Sequence, residues 1–174
     1  SAFADVTAQD VWNDWRSYMT SFGYEVSASE TTSGDTLTVR DFEMSMAFPE
    51  DQGAFSMLIP EMSFRNQGDG TVAIGFPAQM PMRVKMDPPD DEAVDVVIDM
   101  INTDLSMVAS GDRDNMTYDY SATSMAMTLA SLLVDGTPIN DANFDMTVTD
   151  IVGHSSMEKS GELRQLKQEF SAET

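Results

Sequence analysis

Two hydrophobic periods divide the chain. From Thr7 to Phe22 apolar residues recur every three or four positions, placing Val11, Trp15, Tyr18 and Phe22 on one face with Trp12 and Met19 beside it. The spacing predicts an amphipathic helix over 7–22. Thr7 is placed to cap it, Asp10 makes a near-match to a capping box, and Val6 and Val11 occupy the staple positions. Gly23 follows the last periodic residue and suits the left-handed C′ conformation.

After Tyr24 the period falls to two. Leu37 and Val39 alternate with polar neighbours, and Phe42, Met44, Met46 and Phe48 continue in the opposite phase. The slip near Asp41 predicts a bulge or bend, because one extra residue moves side chains to the other face. Phe55, Met57 and Ile59 form a second strand, and Met62 and Phe64 resume beyond Pro60 with shifted phase. Asn66 to Gly70 reads as a turn before Val72, Ile74 and Phe76, and Pro77 and Pro81 bracket a break before Met82, Val84 and Met86. Asp87-Pro88-Pro89-Asp90-Asp91-Glu92 reads as an exposed loop. Alternation returns in Val94, Val96, Ile98 and Met100, then Leu105 and Met107. A turn is expected at Gly111–Asn115, followed by Met116, Tyr118 and Tyr120. A further slip precedes Met125, Met127 and Leu129. Asp135-Gly136 turns the chain toward Phe144, Met146 and Val148. In the tail, Leu163, Leu166 and Phe170 have helical spacing while Gln168 to Ala172 fit a strand equally.

Roughly eight to ten short strands joined by hairpin turns predict a mainly β protein. Its expected form is an antiparallel meander, a long twisted or curved sheet with one N-terminal amphipathic α-helix. Parallel pairing would require crossover helices, and no such pattern lies between residues 35 and 150. Residues 1–6 read as an export-signal remnant or flexible terminus, and 7–174 as a single β-rich domain.

Composition narrows the chemistry. Thirty acidic residues against nine basic ones give a formal net charge of −21, a field that repels phosphate backbones and anionic headgroups. Nucleic acid is therefore not an expected partner. Cysteine is absent, which excludes disulfides, thiolate metal sites and cysteine nucleophiles. That absence fits export to an oxidising compartment, and Ala2-Phe3-Ala4 before Asp5 has the small-x-small form of a signal-peptidase site. A periplasmic location is expected. No stretch of about 20 apolar residues marks a transmembrane span.

Fifteen methionines stand out, and most fall in the inward phase of the strands. Their flexible, polarizable side chains either fill a core or line an apolar groove for something pliable such as an acyl chain. Met44, Met46, Met57, Met62, Met82, Met86, Met125 and Met127 are the candidate lining of such a groove. Trp12 and Trp15 are candidates for partner docking, or else an ordinary core stripe. Copper would need clustered methionines in an exposed segment, and Met44-x-Met46 and Met80-x-Met82 sit within strand patterns. His154 is the one histidine, in a Gly-His-Ser-Ser stretch that reads as a turn. No nucleophile elbow accompanies it, and one histidine without cysteine makes a poor zinc site. No catalytic residue, metal or cofactor is expected.

Thr7-Ala8-Gln9-Asp10-Val11-Trp12, Gly34-Asp35-Thr36-Leu37-Thr38-Val39 and Gly68-Asp69-Gly70-Thr71-Val72 resemble segments of the alphaproteobacterial exported proteins catalogued as domain of unknown function 2125. The resemblance implies export and a chain that is the N-terminal portion of a larger protein, and it carries no functional residues. More remotely, the meander is similar to the sheets of periplasmic AsmA-like proteins, whose apolar troughs are associated with lipid. The expectation is a non-enzymatic binding protein for a lipid-like or hydrophobic ligand. The alternative is an accessory subunit docking on a membrane-bound protein complex.

Overall fold

The computed structural model describes residues 5–160 and 163–174, so Ala2, Phe3 and Ala4 lie outside the described residues. One helix, α1 (Ala8–Ser21), precedes a single antiparallel sheet. The strands are β1 (Glu25–Ser33), β2 (Thr36–Ala47), β3 (Gly53–Asn66), β4 (Val72–Gly75), β5 (Gln79–Met86) and β6 (Val94–Thr103). They continue with β7 (Ser106–Gly111), β8 (Asn115–Val134), β9 (Thr137–Pro138), β10 (Asp145–Ser160) and β11 (Leu163–Glu173). The predicted meander is present. β3 pairs with β4 and then β5, and β8 pairs with β6 and then β7, so these short strands are two interrupted runs. Eight runs result, each paired with its neighbour in sequence. The ambiguous tail is extended, pairing with β10 from Thr149↔Glu173 to Ser160↔Leu163.

A crease crosses every run at the same level. Asp41, with φ +50°, faces Pro60 between the pairs Arg40↔Glu61 and Phe42↔Ile59. The break Phe76-Pro77-Ala78 separates β4 from β5, and Asp104 (φ +53°) separates β6 from β7. Asp150 (φ +50°) falls opposite Thr123, between Thr149↔Ser124 and Ile151↔Ala122. The outer runs slip register at the same level, between Ser27 and Ser29 in β1 and between Thr149 and Val152 against β11. This is the physical origin of the phase slips in the sequence. Each strand absorbs an extra residue where its neighbours do, so pairing survives and the apolar side chains stay on one face. Aspartate suits the crease because its short polar side chain tolerates the left-handed region.

On one side of the crease α1 lies against the apolar face. The Thr7 hydroxyl accepts from the Asp10 N–H at 3.2 Å, and Asp10 Oδ2 accepts from the Thr7 N–H at 3.1 Å, completing the box. The Ala8 N–H, another helix-end donor, is satisfied by Asn66 Oδ1 at 2.8 Å. Val11 and Trp12 are fully buried among Leu37, Val39, Phe42, Met62, Phe64, Val72 and Ile74. Asp14, also buried, is compensated by Lys159, whose Nζ lies 2.5 Å from Oδ1. Val6 is buried and its N–H donates to the Gly70 carbonyl at 3.3 Å. One expectation is corrected here. Phe22 caps the helix and is exposed, its ring 4.8 Å from that of Tyr18.

Candidate functional site

Beyond the crease the apolar face continues with no helix among the described residues over it. Residues directly opposite in an antiparallel pair share a face, so the register lists the rows of this surface. One row runs Met44–Met57–Met82–Ile98–Leu129 across five runs. A second runs Met46–Phe55–Val84–Val96–Leu132. Nearer the crease Met80–Met100–Met127–Met146 forms a third, and Asn102–Met125–Val148 a fourth. Asn102 is buried at the crease, where its side-chain amide donates to the Pro77 carbonyl at 2.9 Å and its backbone N–H to that of Ala78 at the same distance. This stitch replaces ladder bonds where both runs break.

The expected groove residues are mostly gathered here. Met44, Met46, Met57, Met82, Met125 and Met127 are half-buried on this face, and Met86 is 43% exposed at its end. Met62 is corrected. It lies across the crease, 2% exposed beneath α1, where its partner Val39 is also buried, so it is core. Trp12 is likewise taken up inside, while Trp15 is half-buried. Trp12 stands edge-on to Phe42 at 5.9 Å, and Trp15 meets Phe64 at 5.3 Å and stacks on Phe76 at 5.9 Å. Trp12 has no accessible surface to offer a partner.

A cavity that the sequence reading missed opens on the other side of the crease, between α1 and β7, β8, β10 and β11. Its volume is about 430 Å³. Tyr118, Ser155, Met157 and Asp14 form a buried floor, and half-buried Trp15, Tyr18, Met19, Met107 and Tyr120 form its walls. Exposed Leu166 and Gln168 stand at the rim. Gly153, paired with Tyr120, is what lets that ring lie flat against β10, since a Cβ there would fall 2.0 Å from the ring. None of the eight expected groove methionines lines this cavity. The signals were present in the alternation Met116, Tyr118, Tyr120 and in Gly153, but the helical period of Trp15, Tyr18 and Met19 gives no register against a strand.

Polar chemistry gathers elsewhere. His154 lies in β10 rather than in the expected turn, and its Nδ1 meets Asp119 at 2.7 Å, both side chains being substantially exposed. Among the described residues no group of three His, Asp or Glu side chains could hold a metal ion. Arg83 bonds Asp95 across β5 and β6, holding that carboxyl below its ordinary range, chiefly through the hydrogen bond. Backbone N–H groups of Asp114 and Asn115 do the same for Asp112 in the β7–β8 turn. These are strand and turn fastenings. No helix among the described residues is long and apolar enough to cross a membrane. Family models, curated proteins and solved structures provide no match to the chain.

Proposed function

We propose that the chain is an exported, periplasmic, non-enzymatic binding protein that holds a lipid-like or other hydrophobic ligand against its methionine-lined sheet face. The observation that carries this reading is the row Met44–Met57–Met82–Ile98–Leu129, a half-exposed apolar line across five runs with no helix above it. Unbranched thioether side chains conform to a pliable chain at little cost in strain. The formal charge of −21 favours an uncharged ligand over an anionic one.

Native mass spectrometry after incubation with a monoacylglycerol tests it. One bound molecule per chain is expected, and its loss in Met82→Glu, which places a carboxylate mid-row. Undiminished uptake by a folded Met82→Glu protein would remove the reading. The second reading, an accessory subunit on a membrane-bound protein complex, draws on the exposed rim of Phe144, Met146 and Met86. It predicts no monoacylglycerol adduct and persistent co-purification with a larger assembly. The sheet edges are poor docking sites, because β1 is rich in Ser, Thr and Glu and β11 carries Lys167 and Glu169.

A further inference from the structure

We propose that the cavity beneath α1 is a second, separate site, which takes an organic cation carrying apolar groups, such as an alkyltrimethylammonium. Four aromatic rings converge on it: Trp15, Tyr18, Tyr118 and Tyr120. Trp15 and Tyr118 stand 6.1 Å apart at 47°, so two of the rings border the same space side by side. Ring faces are negative and attract a cation that sheds water poorly into aliphatic surroundings but well onto aromatic ones. Among the described residues the lining contains no Lys, Arg or His. Its one charged group is the Asp14 carboxylate, which Lys159 reaches from the neighbouring polar cleft that also holds Asp10 and Arg113. The protein's net charge of −21 adds a general attraction for cations. At about 430 Å³ the cavity is within the range of small-molecule sites.

Calorimetric titration with decyltrimethylammonium and, in parallel, decanoate tests the assignment, both kept below their micelle-forming concentrations. The cation should bind saturably at one site, at least about ten-fold tighter than the anion of equal chain length, and change the emission of Trp15. Tyr18→Ala leaves the net charge unaltered and should weaken the cation about ten-fold, separating ring recognition from general attraction. Leu166→Lys changes an exposed rim residue and should weaken the cation while sparing decanoate. Met82→Glu, across the crease, should leave this affinity within about two-fold of the parent value, because the sites are separate. Equal binding of decanoate, parent affinity in both Tyr18→Ala and Leu166→Lys, or loss of cation binding in Met82→Glu would each overturn the proposal.

Discussion

The two halves of the sheet share the same strands and face, and differ in what lies over them. Below the crease α1 seals Leu37, Val39, Phe64, Val72 and Ile74 to within a few per cent of full burial. Above it the row through Met82 stays half-exposed, and so do Met100 and Met127 in the next row, whose end at Met80 is buried. The cause is geometric. A 14-residue helix is about 21 Å long, whereas the 20 residues of β8 extend roughly 65 Å. One helix cannot cover that length. Residue choice follows cover: rings and β-branched side chains with few rotamers face the fixed helix, while nine of the fifteen methionines lie half-buried or exposed on the uncovered rows or at Met86 beside them, with Met80 buried next to the crease. Rigid groups suit a partner of known shape, and adaptable ones suit a partner that the chain does not itself supply.

The largest contrast should come from one substitution made on both sides. Met62→Glu buries an unpaired carboxylate under α1 and should cost at least about 4 kcal/mol, a large share of the stability of an ordinary domain. Met82→Glu can turn its carboxylate to water and should cost less than about 1.5 kcal/mol. Urea denaturation of the two variants measures the difference, and similar midpoints would show the upper half to be as closed as the lower. Truncation gives the next step. Trp12→Ala removes a ring that touches Phe42 and Phe64 and should cost about 3–5 kcal/mol, against about 1 kcal/mol for Met127→Ala on the open face. Equal losses would abolish the distinction.

That distinction was only partly legible in the residues. Strand positions, turns and the inward phase followed from alternation, because a pleat imposes its period on any strand with one buried face. The slips at Asp41, Pro60 and between Tyr120 and Met125 were visible singly. Their alignment into one crease was not, since it depends on the register between strands, which a local pattern does not encode. For the same reason Met62 and Met57 look alike in sequence, though one is core and the other half-open. The cavity was hidden because its walls come from two periods, a helix and four strands, that share no common numbering.

The crease itself can be probed at Asp150, whose φ of +50° disfavours a β-branched side chain. Asp150→Val should destabilise by about 1–2 kcal/mol, while Asp150→Gly should be close to neutral because glycine adopts this region freely. If valine proves harmless, the bend is a soft feature and the boundary between the halves is weaker than the register implies.

The smallest effect is expected at Asp10, which belongs to the covered half alone. Partial burial would raise its pKa, but hydrogen bonds from the Thr7 hydroxyl and backbone, with Arg113 beside it, outweigh that and hold it below the ordinary carboxylate value. A carboxyl whose folded pKa is depressed binds its proton more readily in the unfolded chain. Its contribution is therefore fully present above the unfolded value near 4 and is lost as the pH falls through the lower folded one. Asp10→Ala should cost about 1 kcal/mol at neutral pH, the usual magnitude for a helix cap. It should also make the acid limb of stability against pH shallower, because the variant lacks this one of the depressed carboxylates. Denaturant midpoints from pH 7 to pH 3 read both effects. Amide exchange then locates the first of them: at neutral pH Asp10→Ala should loosen α1 and the strands beneath it while leaving the β5–β6 pair as in the parent protein, because Asp10 bonds Thr7 and Arg113, both on the covered side of the crease. Faster exchange in β5 and β6 of the variant at neutral pH would mean that the halves open together and that the crease does not divide the molecule energetically.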